Sequence, residues 1–222
     1  MLKLKKKVNQ FPTPYTCMRA IKEGGIETKL SMILMGFGNF VHKQKIKGLL
    51  YLTLEVAYIV FMAVNGIHFL SALGSLGSAP QKEVWDATKQ VYLYTKGDQS
   101  VLLLLYGVAT VLVTLLMIWA WRGVLKSAFK AECLDKEGRH VNSFVEDLKS
   151  LLHENLHRLL MTPPMVFIFT LTILPLVFMI CMAFTNYSVE GNKLVLFDWV
   201  GLENFRKIFD FGDSLGQTFW SV

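Results

Sequence analysis

Apolar positions along this chain fall in long blocks. Gly48–Leu70 reads GLLYLTLEVAYIVFMAVNGIHFL, Val101–Trp121 reads VLLLLYGVATVLVTLLMIWAW, and Pro163–Phe184 reads PPMVFIFTLTILPLVFMICMAF. The second and third runs contain no charged residue, and the first contains only Glu55. At about 1.5 Å rise per residue each run covers roughly 30–35 Å, the thickness of a hydrocarbon core. Core helices of soluble proteins keep a polar stripe, and these runs have none. The pattern predicts three membrane-spanning helices. A fourth segment is periodic instead of continuous. Val141, Phe144, Val145, Leu148, Leu152 and Leu156 recur at helical spacing, which predicts an amphipathic helix ending at Thr162-Pro163-Pro164. The expected fold class is therefore an all-α integral membrane protein, with three spans and one amphipathic helix.

The polar residues orient the spans. Residues 1–47 carry ten Lys and Arg, residues 71–100 carry three, residues 122–162 carry seven, and residues 185–222 carry three against five acids. Cytoplasmic loops of membrane proteins are enriched in Lys and Arg. The alternation places the N-terminus and the 122–162 loop in the cytoplasm, and the 71–100 loop and the tail outside. Tyr51, Trp119, Trp121 and Tyr187 stand at span edges, where amphipathic rings prefer to sit. The first long apolar run starts far from the N-terminus, so no cleavable signal peptide is expected. The basic run Leu2–Lys7 is read as a determinant of topology, with anionic-lipid binding as the second reading.

Composition adds little. Apolar residues make up 53% of the chain, a modest excess over the roughly 45–50% usual in soluble domains. The net charge of +6 is explained by the retained loops. Nucleic-acid binding is not expected, because no basic patch is interleaved with aromatics. Cys17, Cys133 and Cys181 have no metal-like spacing. By topology two are cytoplasmic and one lies in a span, so no structural disulfide is expected.

Several residues invite a chemical reading. Glu55 lies about two turns inside the cytoplasmic edge of the first span. Intramembrane carboxylates are costly and so are candidates for function or for a packing contact with a neighbouring helix. His153-Glu154-Asn155-Leu156-His157 matches H-E-x-x-H, in which two His one helical turn apart bind zinc and the Glu acts as general base. A catalytic zinc needs a third protein ligand. Residues 158–189 offer only Cys181, and Cys181 and Glu190 lie about a membrane thickness away by topology. Upstream, Glu132, Asp135 and His140 remain, which is not the usual order. Pro175 interrupts the third run and predicts a kink covered by neighbouring helices.

After the third run come Ala183-Phe184-Thr185-Asn186-Tyr187 and then Trp199-Val200-Gly201-Leu202-Glu203-Asn204-Phe205, followed by Phe219-Trp220. Together with Leu174-Pro175-Leu176 inside the span, this pattern resembles the start of a sugar-importing ABC permease of the MalF-type maltose/maltodextrin family. The motif match covers roughly residues 163–222, and two preceding spans agree in topology. The tail has the look of an approach to another membrane helix, so a longer permease is expected.

The resemblance implies a permease subunit in the bacterial cytoplasmic membrane that works by alternating access. It implies a second permease subunit, an ATP-binding cassette ATPase and an extracellular sugar-binding protein as partners, beside the lipid bilayer. In that family the ATPase-docking loop and the helices lining the sugar path come later. No catalytic, metal or substrate-binding residue is therefore assigned, no cofactor is expected, and the chain is not expected to be an enzyme. No phosphate-binding P-loop is present in the sequence. The implied division is 1–47, a basic cytoplasmic segment; 48–121, two N-terminal spans; 122–162, a cytoplasmic loop with the amphipathic helix; and 163–222, the start of the permease core. The alternatives are a membrane-bound zinc metalloprotease through His153, Glu154 and His157, or a non-catalytic membrane anchor or assembly subunit.

Overall fold

The computed structural model describes residues 15–80, 82–86, 88, 90–94, 97–187, 189–190, 193–194, 196–210, 212, 217 and 219–221. The basic run Leu2–Lys7 and the terminal Val222 lie outside the described residues.

Three short helices open the chain: α1 (Cys17–Glu23), α2 (Ile26–Leu30) and α3 (Phe37–Val41). The Thr16 hydroxyl caps α1 by accepting the Arg19 N–H. Next come α4 (Lys45–Phe61), a π-helical turn (Met62–Gly66) and α5 (Ile67–Ser75). A hairpin of β1 (Glu83–Asp86) and β2 (Val91–Tyr94) follows, and then the long helix α6 (Ser100–Lys136). The chain continues through α7 (Phe144–His153), α8 (Leu156–Ile168), a second π turn (Phe169–Ile173) and α9 (Leu174–Met182). A two-residue hairpin, β3 (Val189–Glu190) with β4 (Lys193–Leu194), precedes α10 (Glu203–Phe209).

Among the described residues three helical stretches are long and apolar enough to cross a membrane: Lys45–Ser75, Ser100–Lys136 and Leu159–Met182. Each contains most or all of one apolar run of the sequence. Almost none of the apolar residues in the first and third stretches is buried within the chain. Helices apolar on all faces and left uncovered are stable only where the solvent is hydrocarbon.

Three expectations are corrected in detail. The second helix does not stop near Trp121 but runs to Lys136, where a loop was expected. Residues 122–136 are mostly good helix formers, and Leu125, Ala128, Phe129 and Glu132 recur on one buried face. The single periodic helix expected up to Thr162 is broken at Glu154–Asn155 into α7 and α8. α8 then passes through Pro163 and Pro164 into the third span, where an end was expected. Proline interrupts the hydrogen-bond ladder but does not forbid a helix in a membrane. Two short hairpins lie among the described residues of a fold that is mostly helical, as expected of an all-α membrane protein.

The interruption expected at Pro175 takes a definite form. Pro175 has no N–H to offer the carbonyl of Leu171, and the π turn Phe169–Ile173 sits immediately before it. A local change of ladder register is a common response to such a missing donor.

The chain divides into two compact units, residues 1–60 with 115–161, and residues 61–114 with 162–222. In the first unit Ala20, Leu125 and Phe129 form a buried cluster, flanked by Tyr15, Met32 and Trp121. Gly36 and Gly48 let the turn before α3 lie against the start of α4. A Cβ on Gly48 would stand 2.7 Å from the Gly36 carbonyl oxygen and 2.9 Å from the Phe40 nitrogen. In the second unit Leu76, Leu104, Val108 and Phe197 are buried together, with Val177, Phe178 and Cys181 of α9 packed against them. There the Ser100 hydroxyl accepts the Phe197 N–H at 3.3 Å, and the Trp199 indole donates to the Leu73 carbonyl at 2.7 Å.

Gly48→Ala places its methyl carbon against backbone that cannot yield. It is expected to lower the stability of the first unit by about 1–3 kcal/mol, as overpacking does. Thermal unfolding in detergent checks this, with Gly74→Ala as control, since a Cβ there meets nothing within 4 Å. The control should lose no stability.

Candidate functional site

The densest set of polar contacts in the first unit forms where α1–α3 meet residues 121–136 of α6. Its centre is Glu132, a carboxylate only 2% exposed. One oxygen accepts the Gly25 N–H at 2.9 Å and the other at 3.0 Å. The Thr28 hydroxyl donates at 2.5 Å, and Lys136, one turn further along α6, donates its ammonium at 2.5 Å. Gly25 precedes α2, and a Cβ there would stand 2.5 Å from a Glu132 oxygen. A residue without a side chain is what lets the carboxylate reach the amide. Buried charge is tolerated only when it is paired and hydrogen-bonded, and here both oxygens are used.

A second layer lies beside it. The Asn39 side-chain amide donates to Gln44 at 2.6 Å and to Ser127 of α6 at 3.0 Å. His42, also buried, places Nδ1 3.0 Å from Asp135 of α6 and Nε2 2.8 Å from Glu27 of α2, the latter without hydrogen-bond alignment. The Trp121 indole donates to the Met32 carbonyl at 3.1 Å. Residues 121, 125, 128, 132 and 135 thus present one face of α6 to the N-terminal helices. The signal lies in the sequence as a helical repeat carrying an acid, beyond the point near Trp121 where continuous apolarity ends.

Glu55 makes a contact of the same kind. Its carboxylate accepts the Met35 N–H at 2.8 Å, in the turn that leads into α3. The contact satisfies a buried backbone donor.

α7 is held at its start. The Ser143 hydroxyl accepts the Glu146 N–H, and the Glu146 carboxylate accepts the Ser143 N–H at 2.8 Å, a reciprocal capping box. The Ser143 N–H and the nearby His140 ring hold the Glu146 carboxyl below the usual carboxylate range. Lys47 pairs with Asp147 at 2.8 Å, and the Gln44 side chain donates to the Asn142 carbonyl at 2.7 Å.

The H-E-x-x-H residues do not assemble as the motif requires. His153 is the last residue of α7, Glu154 caps it, and His157 belongs to α8. The break removes the continuous turn that would set both imidazoles on one face. His153 Nδ1 lies 3.1 Å from the Lys149 carbonyl, and Glu154 accepts from the Ser150 hydroxyl at 3.1 Å. Among the described residues no three His, Cys, Asp or Glu side chains group as ligands for a metal ion. Cys17, Cys133 and Cys181 are all free.

No protein-family model matches the chain. No solved structure matches it. Curated proteins do. The maltodextrin transport system permease protein MdxF of Bacillus subtilis (strain 168) is 27% identical over 197 residues, covering 87% of this chain and 41% of its own length. The galactooligosaccharides transport system permease protein GanP of the same organism is 28% identical over 194 residues, covering 87% and 43%. The maltodextrin transport system permease protein MalC of Streptococcus pneumoniae serotype 4 is 26% identical over 209 residues, covering 90% and 44%. The chain is thus similar to permeases of sugar transport systems. It spans less than half the length of the curated relatives it matches. The similarity takes in nearly all of this chain, and so extends well beyond the motif residues of 163–222. The break between α7 and α8, and not this similarity, is what argues against a zinc site at His153 and His157.

Two outcomes are expected. Glu132→Ala leaves the Gly25 N–H and the Thr28 hydroxyl without their acceptor. It should cost the first unit about 2–3 kcal/mol, on the scale of charge-assisted hydrogen bonds. Trypsin cleavage after Lys22 and Lys29 should accelerate, and Thr28→Val should show a smaller effect. Purified protein should hold no stoichiometric zinc by elemental analysis; one zinc per chain, lost in His157→Ala, would restore the protease reading.

Proposed function

We propose that this chain is the N-terminal part of a permease subunit in an ABC importer for maltose- or maltodextrin-like oligosaccharides. The single observation that carries the reading is similarity along nearly the whole chain to permeases of maltodextrin and galactooligosaccharide transport systems. Three helices long and apolar enough to cross a membrane, among the described residues, support it. In this reading residues 48–121 supply two N-terminal spans and residues 163–222 begin the permease core. ATP hydrolysis comes from a partner ATPase. A second permease subunit completes the sugar path, and an extracellular binding protein delivers the sugar.

The Lys and Arg distribution supports a cytoplasmic N-terminus in the bacterial cell membrane. Unit 1 is then cytoplasmic where it leaves the bilayer, and the Glu132 cluster lies on that side. α7 acts as an amphipathic helix at the cytoplasmic membrane surface. Val145, Leu148 and Leu152 are exposed along it, while Lys47 at the start of the first span ties it to the bilayer edge.

Uptake of radiolabelled maltohexaose by cells with and without this subunit tests the function. ATP-dependent uptake should vanish without it; unchanged uptake would overturn the reading. Orientation is checked separately with single-cysteine probes in a cysteine-free background. Ser78→Cys should react with an impermeant maleimide in intact cells, and Ser143→Cys only after permeabilisation. Labelling of Ser143→Cys from outside would reverse the topology.

A further inference from the structure

The Lys- and Arg-rich N-terminal segment contains an uncharged window. Residues 30–41 read LSMILMGFGNFV, bounded by Lys29 and His42. They make up the end of α2, a turn and α3. Contacts with α6 fix the height of each part. Gly25 and Thr28, at the foot, bond Glu132. The Met32 carbonyl accepts the Trp121 indole N–H, about three turns or about 16 Å nearer the apolar run of α6. The chain then returns, as Asn39 donates to Ser127 and His42 meets Asp135. Residues 31–36 are thus the apex of a hairpin that points toward the spans.

α4 gives the same depth independently. Gly36 abuts Gly48, where the first apolar run begins; a Cβ on Gly36 would stand 2.5 Å from the Gly48 carbonyl oxygen. The Met35 N–H reaches Glu55, about two turns deeper in that run. On α6, Trp121 ends the second apolar run and Arg122 is the first charge after it. The apex therefore lies past the level at which both spans meet water.

Non-helical backbone at membrane depth persists only where protein answers its polar groups. Here protein does so. The N–H groups of Met32, Ile33, Leu34 and Phe37 bond carbonyls within the hairpin, and the Ser31 hydroxyl accepts the Gly38 N–H at 2.6 Å. Glu55 takes the Met35 N–H and Trp121 serves the Met32 carbonyl. The free side is apolar. Ile33 is 74% and Leu34 47% exposed, close in height to the exposed Leu54 and Val56 that flank Glu55 on α4. An uncharged surface at that depth, beside lipid-facing residues of a span, is suited to hydrocarbon. We propose that residues 30–41 form a re-entrant hairpin whose apex enters the cytoplasmic leaflet, with Ile33 and Leu34 among the acyl chains and Glu55 as its anchor. The proposal rests on the reading of α4 and α6 as spans with a cytoplasmic N-terminus, and not on the identity of the sugar.

The test uses the whole chain in nanodiscs with isoleucine methyl groups labelled for NMR. The Ile26, Ile33 and Ile59 signals are assigned by their loss in Ile26→Val, Ile33→Val and Ile59→Val. A phosphatidylcholine carrying a doxyl radical close to its headgroup should bleach Ile33 and leave Ile26, the exposed isoleucine at the foot of the hairpin. A water-soluble gadolinium chelate should bleach Ile26 and leave Ile33. Bleaching of Ile33 by the chelate places the apex in water and overturns the proposal. An Ile33 signal untouched by both agents means that protein covers the apex, which also overturns it. Ile59, exposed on α4 one turn beyond Glu55, reports on the span itself. If Ile59 escapes the doxyl lipid, the span reading fails; if Ile59 is bleached by lipid while Ile33 is bleached by the chelate, the hairpin proposal alone fails.

Discussion

A carboxylate taken out of water must be answered by donors, and the first unit is organised around meeting that requirement at Glu132. Its oxygens draw in the amide at the start of α2, a hydroxyl one turn into α2, and a lysine one turn along α6. The lysine is largely exposed and adds little, as surface pairs do. The amide and hydroxyl contacts are shielded and directional. They fix α2 at one height and one rotation on α6. α1 and α3 then follow through the short turns that join them to α2 and through Trp121, Ser127 and Asp135.

This explains why α6 is so long. Residues 101–121 answer to the bilayer, where apolar surface is needed on every side. Residues 122–136 answer to three short helices that cannot stand alone, since helices of five to seven residues are unstable without tertiary contacts. One rod serves both purposes, and its change of character from uniformly apolar to one-faced marks where the solvent changes. In lipid, apolar burial gives no drive between helices, so packing and polar contacts position the spans. In the second unit the same need is met by the Ser100 hydroxyl and the Trp199 indole, each bonding a backbone group distant in sequence.

What could be read in advance follows from the range of the interactions involved. The spans were legible because a membrane helix is specified residue by residue by its own hydropathy. The similarity to sugar-transport permeases was legible from Leu174-Pro175-Leu176 and the segments 183–187 and 199–205. The extension of α6 was not, because its boundary was judged by apolarity, and Glu132 reads as a solvent residue until Gly25 and Thr28 are brought to it across more than a hundred positions. The break at Glu154–Asn155 was hidden by a hydrophobic repeat that continues across it. The β1–β2 hairpin was missed because its strands are only four residues long and lie between stronger signals. The H-E-x-x-H pattern shows the opposite failure: a local motif whose meaning depends on a continuous helix that the chain does not form.

Hydrogen–deuterium exchange of residues 122–136 in nanodiscs tests the central claim most directly. If α6 is a single rod clasped to the N-terminal helices through Glu132, these amides exchange slowly, together with those of residues 25–31, and both sets speed up in Glu132→Ala. Fast exchange of 122–136 in the wild-type protein, at the rate of an open loop, would contradict it.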